Sequence, residues 1–420
     1  MATADHLTGV SPHMGRAELS RTRIGASKNA VVPSRIPSSS PLHEPRALTA
    51  AERARFRATA QQAREAKAAA TRGDGPAPLH QVNVPKLDPY DLMPELPANG
   101  LRSLSLFSGG GGLDLGFERA GYRHVASYEI MESAAATLLE ARPSWQVYSG
   151  EAGDVRDVNW RRYRGKVDVL HGGPPCQPFS HAGRQRGRLD PRDMWPELVR
   201  AVLEINPPAF VAENVAALAD AKFVQYVNET IIEPLEKRYT VKRFILRAQD
   251  FGIPQVRRRV FFVGFRSKKV AGRYLSPTST HYPPGTLPSE HQLPGMGMRQ
   301  ALGLPDIGID ELSPTIRSTL NGPRNTTSVL NSVSAKRRFD ALQVWPNGVA
   351  ATREAASHFV PANGHFRLSV PDVALLQGFP DDWPFVGATY MVLGQIGNAV
   401  PPPLAYQVAV SVATALVTAK

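Results

Sequence analysis

Leu104-Ser105-Leu106-Phe107-Ser108-Gly109-Gly110-Gly111-Gly112-Leu113-Asp114 is an apolar run that empties into four consecutive glycines. The run reads as a buried strand, and the glycines let the backbone turn sharply and approach a ligand closely before a helix begins. Outward from this segment the same rhythm recurs. Apolar runs at 125–128, 167–170 and 210–212 are separated by helical patterns at 132–141 and 195–205. Strand, helix, strand in this alternation predicts an α/β fold, a doubly wound and mostly parallel sheet covered on both faces. Such sheets bind ligands beyond the carboxyl ends of their strands, so the residues that follow each run are where chemistry is expected.

Two further runs, 239–246 and 260–265, flank the turn Phe251-Gly252-Ile253-Pro254 and read as a pair of strands. Residues 1–97 are rich in Ala, Arg, Pro and Ser and poor in large apolar side chains. They are expected to form a basic, largely disordered extension, with one helix announced by the T-x-x-E pattern of Thr49 and Glu52. Residues 98–265 form the expected catalytic unit. Between 266 and 366 the regularity fades into Pro, Gly, Ser, Asn and Thr with basic clusters such as Lys336-Arg337-Arg338, which predicts a smaller, irregular, separate domain or an elaborate loop region. Residues 367–420 regain pattern: Ser369 and Asp372 form a capping box, and Pro401 to Pro403 open an apolar terminal helix.

Composition sets the outer limits. The chain has 420 residues, 42% hydrophobic, with 49 Lys and Arg against 37 Asp and Glu, for a net charge of +12. That balance favours a polyanionic partner without choosing among DNA, RNA and an acidic membrane. A single cysteine excludes an intrachain disulfide and any zinc centre needing two or more thiolates. No apolar run approaches the roughly 18 residues needed to span a bilayer, so a cytoplasmic protein without a membrane segment is expected.

The chemistry-bearing residues stand at the strand ends. A dinucleotide fingerprint would need a third glycine where Asp114 stands, and the phosphate-loop pattern ending in Lys-Ser/Thr is absent. Tyr128-Glu129 places a carboxylate where a ribose diol would be held, with an ordinary solvated glutamate as the alternative. Gly153-Asp154-Val155 offers a second carboxylate, suited to an adenine amino group. His171-Gly172-Gly173-Pro174-Pro175-Cys176-Gln177-Pro178-Phe179-Ser180 puts the sole thiol in a proline-stiffened loop. A lone cysteine is usually an inert core residue, but Gly and Pro on both sides describe an exposed, rigid loop. At an ordinary pKa of about 8.5, little thiolate exists at neutral pH, so local help is required. Glu213-Asn214-Val215 supplies a carboxyl group at the same edge, able to protonate a ring nitrogen that gains basicity when a thiolate adds to the ring. Gln255-Val256-Arg257-Arg258-Arg259 alternates, projecting Arg257 and Arg259 to one face.

The blocks F-S-G-G-G-G, G-P-P-C-Q-P-F-S, E-N-V, Q-V-R-R-R and G-N-A-V occur in this order, and together they resemble the DNA (cytosine-5) methyltransferases of bacterial restriction-modification type. The resemblance covers about 101–266 and 367–420. It implies a Rossmann-like methyltransferase sheet and S-adenosylmethionine held by Phe107, Ser108, Gly109, Gly111, Gly112, Glu129, Asp154, Val155, Pro174, Met194 or Trp195, Asn398 and Val400. It implies Cys176 adding to C6 of a cytosine flipped out of duplex DNA, Glu213 protonating N3, Arg259 binding the C2 carbonyl and Arg257 positioning the loop and backbone. No metal is implied. Residues 266–366 occupy the place of a target recognition domain, with Arg317, Arg324 and Asn325 as base-contact candidates and phosphate contact as the alternative. Gln185, Arg186 and Arg188 are candidates for filling the space left by the flipped base. A monomer is expected, acting on the nucleoid and linked in function, not by contact, to a restriction endonuclease. Transfer RNA methylation on the same fold and a non-catalytic DNA-binding regulator are the competing readings.

Overall fold

The computed structural model describes residues 49–51, 53–54, 57–58, 61, 65, 81–176, 179, 190, 192–288, 290–317, 327–330, 332–358 and 364–418. The central sheet has seven strands: β1 (Arg102–Leu106), β2 (Arg123–Glu129), β3 (Val147–Ser149), β4 (Val169–Gly172), β5 (Ala209–Val215), β6 (Thr240–Arg247) and β7 (Arg258–Phe265), ordered β3-β2-β1-β4-β5-β7-β6. Strands β1 to β5 pair in parallel. Strand β7 runs antiparallel between β5 and β6. Chain direction across the sheet reverses between β1 and β4, which opens a crevice at their carboxyl ends.

Burial on both faces explains the uninterrupted apolar runs. In β5, Ala209 and Val211 enter one apolar cluster while Phe210 and Ala212 enter the other. Helices α1 (Gly112–Arg119), α2 (Glu132–Ala141) and α3 (Trp195–Ile205) connect the strands. The terminal helices are α4 (Val370–Leu376), α5 (Thr389–Asn398) and α6 (Pro402–Val417), and the Ser369–Asp372 capping box starts α4. Helix α6 packs so closely on α1 that a Cβ at Gly116 would lie 2.6 Å from Ala405 Cβ, and the break before α6 so closely that one at Gly112 would lie 2.1 Å from Val400 O. These glycines are therefore required for packing.

Two expectations need correction. Residues 389–417 are long and apolar enough to cross a bilayer, contrary to the sequence estimate. They break at Ala399–Pro401, where the residue before a proline is driven out of helical geometry, and 72% of the apolar window is buried in the protein. The described parts of 266–366 share an apolar cluster with the segment that follows: Met298, Leu302, Ile316, Phe339 and Val344 belong to it together with Val373 and Leu376. Finally, residues 81–97 are not a loose extension: Leu87 and Met93 are buried in that same cluster. Described positions between 51 and 65 are helical and exposed, while residues 1–48 and 66–80 lie outside the described residues.

Candidate active site

The crevice holds a cavity of about 410 Å³. One side is built by the turn after β1 and the end of β2. Phe107 adopts φ +56° and Gly109 φ +55°, so the backbone curls and aims its amides toward β2. Gly109 N donates to Glu129 Oε2 at 2.7 Å and Met131 N donates to Glu129 Oε1 at 2.8 Å. Burial raises the Glu129 pKa, and these two backbone donors pull it back. Each oxygen keeps a further lone pair, which suits a diol. Asp154 also lines the cavity, but its carboxylate accepts from Arg156 Nε at 2.9 Å, and that guanidinium holds its pKa below the ordinary value.

The other side brings together Cys176, Glu213 and Arg259. Glu213 lies in β5 and Arg259 in β7, where Val215 pairs with Arg259 in register. Arg259 Nε stands 2.6 Å from Glu213 Oε1. The N–H is not aligned with that oxygen, which is left with no hydrogen-bond donor aimed at it. Burial raises the Glu213 pKa, against the lowering pull of Arg259 and Arg257. Burial also pushes the Cys176 thiol up, opposed chiefly by Arg259. The loop that carries Cys176 is tied down by Asn214, whose Nδ2 donates to Pro174 O at 3.0 Å. It passes so near the carboxylate that a Cβ at Gly173 would lie 3.0 Å from Glu213 Oε2.

Of the residues singled out from sequence, Phe107, Ser108, Gly109, Gly112, Glu129, Asp154, Val155, Pro174, Cys176, Met194, Glu213, Arg259, Asn398 and Val400 line this one cavity. Gly111 does not. With φ +86° and a Cβ position 2.7 Å from both Leu138 Cδ2 and Trp383 Cζ2, it is a turn and packing glycine. Trp195 is fully buried in the core and Met194, not Trp195, faces the cavity. Arg257 also stays outside: it is 1% exposed, and its guanidinium donates to Ile316 O at 2.9 Å, Gly397 O at 2.8 Å and Ala399 O at 2.9 Å. It therefore joins backbone from residues 316 and 397–399 to the base of β7. Arg317 follows Ile316 and is half-buried. Gln185, Arg186, Arg188, Arg324 and Asn325 lie outside the described residues.

Sequence reading missed Ile130, Met131, Arg192 and Gln395, all of which line the cavity. Ile130 and Met131 follow Glu129 directly, so the strand-end rule had the signal for them. Arg192 pairs with buried Asp190 at 2.7 Å, and Gln395 is on α5, where nothing local marks it. Among the described residues there is no group of three or more His, Cys, Asp or Glu arranged to hold a metal.

Residues 101–414 match the family model described as C-5 cytosine-specific DNA methylase. The chain is 36% identical over 321 residues to the type II methyltransferase M.NgoMIV of Neisseria gonorrhoeae, covering 75% of this chain and 97% of that protein. It is 32% identical over 342 residues to the type II methyltransferase M1.HphI of Haemophilus parahaemolyticus, covering 74% and 86%. Among solved structures, the Entamoeba histolytica methyltransferase EhMeth shares the fold with a TM-score of 0.50 at 15% identity, covering 75% of this chain and 98% of that one.

Proposed function

Because the chain belongs to the C-5 cytosine-specific DNA methylase family, we propose that the cavity at the β1–β4 switch point is where it works, with Cys176 as nucleophile. The protein is a DNA (cytosine-5) methyltransferase. It methylates C5 of a cytosine taken out of the duplex, and its methyl source is the family's, S-adenosylmethionine.

The turn 107–109, Glu129, Met194, Asn398 and Val400 would hold that donor. Glu129 suits the ribose diol because its carboxylate is fixed by two backbone amides and still has acceptor capacity. Asp154 would serve the adenine only through lone pairs that Arg156 leaves free. Bound there, the donor presents an electrophilic methyl on a positively charged sulfur.

The chain's own residues handle the base. Cytosine C5 is a weak nucleophile while the ring is aromatic. Addition of the Cys176 thiolate at C6 breaks that aromaticity, and the electron pair moves toward N3. Glu213, whose pKa burial raises, gives N3 its proton, so no full negative charge builds on the ring. Arg259 donates to the C2 carbonyl and steadies the same charge. As C5 takes the methyl with its electron pair, N3 returns its proton to Glu213; loss of the C5 proton to solvent then restores the C5–C6 double bond and expels Cys176 as thiolate. Arg257 positions these groups from behind by tying the start of β7 to residues 316 and 397–399.

The observation that carries this reading is the meeting of a lone thiol, a buried carboxyl group and a guanidinium on one wall of a cavity whose other wall holds Glu129. Residues 266–366 read as the target recognition region, and Arg317 as a DNA contact. The protein reads further as a monomeric, cytoplasmic modification enzyme of a restriction-modification pair. The test uses tritiated S-adenosylmethionine with duplex DNA or transfer RNA, comparing wild type with Cys176→Ser. Label is expected in duplex DNA with the wild type only. Equal transfer by both proteins overturns the nucleophile assignment, and label in transfer RNA alone overturns the substrate.

A further inference from the structure

Residues 81–97 precede the family match, which begins at 101. They nevertheless run across three parts of the protein. Lys86 N donates to Ala301 O at 3.0 Å, and the backbone lies so close to Gly303 that a Cβ there would be 1.8 Å from Val84 O. Leu92 Cδ2 would lie 2.6 Å from a Cβ at Gly252, in the connection leading to β7. Met93 O accepts from Arg119 Nε at 3.0 Å, and Leu96 N donates to Arg119 O at 2.9 Å, at the end of α1. Gly303 is at φ +69°, so both its conformation and the space beside it require a glycine.

One buried junction lies at the centre of this path. Asn83 Nδ2 donates to Leu302 O at 2.9 Å and to Asp372 Oδ1 at 3.0 Å. Asp372, fully buried at the start of α4, also accepts from Arg353 Nε at 2.9 Å, and Arg353 reaches Asp381 at 2.6 Å. Leu302 and Arg353 belong to 266–366, while Asp372 and Asp381 belong to the segment that closes the catalytic unit. A buried amide bridging a carbonyl and a carboxylate fixes distance and angle, because leaving either partner unmet is costly. Tyr90 adds a second tie at the rim, its hydroxyl donating to Asp382 at 2.9 Å.

We infer that residues 81–97 are a strap, and that Asn83 is a positioning residue which sets the attitude of 266–366 against the catalytic sheet and so the fit of DNA between them. The inference rests on the reading of 266–366 as the recognition region. A strap of this kind acts on duplex engagement, and its two side-chain ties, Asn83 and Tyr90, meet residues 302, 372 and 382, none of which lines the cavity.

The test is made on the full chain. In Asn83→Ala, KM for duplex DNA rises about tenfold, the range for losing a buried hydrogen bond, while kcat and donor affinity stay within twofold. Asn83→Asp has the same shape but turns a donor into an acceptor facing Asp372, and its KM rises further. Donor-binding stoichiometry counts the folded fraction in each preparation. Should Asn83→Ala fail to fold, Tyr90→Phe deletes only the rim hydrogen bond, and a two- to threefold rise in KM is expected. Unchanged KM, or an equal loss of kcat and donor affinity, overturns the strap. Arg317→Ala separates the two levels: altered DNA binding there with no effect at Asn83 and Tyr90 leaves the recognition reading standing and sinks only the strap, while no effect at any of the three removes both.

Discussion

On the side of the cavity proposed for the methyl donor, both Glu129 oxygens already receive backbone N–H groups, at 2.7 and 2.8 Å. On the side proposed for the base, Glu213 Oε1 lies 2.6 Å from Arg259 Nε with no donor aligned on it, and the thiol beside it is shifted away from ionisation by burial. The first wall is fixed by backbone donors; the second holds charged and ionisable groups in an arrangement that, on the proposed function, an incoming ring would complete. Binding a donor needs preorganisation, whereas activating an aromatic ring needs groups whose stabilisation is realised in the transition state. Substitutions on the two walls should therefore fail differently, the first in affinity and the second in turnover.

The sharpest way to break this contrast is Cys176→Ser. A hydroxyl is far harder to ionise than a thiol, so single-turnover methylation should fall on the order of 10⁴-fold or more, with donor binding unchanged. A serine variant that methylates at a tenth of the wild-type rate would end the contrast. Glu213→Gln keeps the shape and loses the proton, and turnover should drop about 10²-fold. The sign of its pH dependence follows from burial. A raised Glu213 pKa keeps the acid form to higher pH than an ordinary carboxyl group, so the limb of the rate profile that falls with rising pH belongs to this residue. That limb should vanish in the glutamine variant.

The same electrostatics predicts a shift without a loss of fold. Arg259 is the chief influence lowering the Cys176 pKa against burial. Removing it in Arg259→Ala should move the pH midpoint of iodoacetamide labelling at Cys176 upward, and the reaction should need more alkaline solution than in wild type. A downward move would mean that Arg259 does not face the thiol. Across the cavity, Glu129→Ala should weaken S-adenosylmethionine about 10- to 100-fold in Kd, the range for hydrogen bonds to a charged group, with turnover at saturating donor nearly kept. Equal damage to turnover would merge the two walls into one.

How far the sequence foretold these walls depends on how local each one is. Glu129, Cys176 and Glu213 were legible because each follows an apolar run, and a parallel sheet sends every such end to one edge. Gly112 and Gly116 carried a second meaning that no local pattern reveals: their missing side chains admit α6 and the break before it, some 290 residues onward in the chain. Arg257 looked equivalent to Arg259 by alternation, yet its partners at 316 and 397–399 draw it away from the cavity. The strap was hidden for the same reason. Its buried residues are sparse, and Asn83 meets carbonyl and carboxylate partners at 302 and 372 that composition cannot show.

The effect expected at Arg317 is of the same modest order as that at Glu129, and its value lies in its pattern. Ile316, next to it, is fixed on both sides, its N–H donating to Gln255 Oε1 at 3.1 Å and its carbonyl accepting from Arg257 at 2.9 Å. Arg317 is thus anchored to the same backbone that carries Arg259, so a DNA contact made there is held in register with the extruded base. If it reads a guanine edge, Arg317→Ala should cost about 1–3 kcal/mol on the cognate site and relax one base position. If it meets phosphate, the loss should be uniform across sequences and the salt slope of binding should fall by about one. Equilibrium binding to the cognate duplex and to single-base variants, at two salt concentrations, separates the two. Unaltered binding to every duplex would detach Arg317 from the DNA and confine the Arg257 junction to holding the catalytic wall.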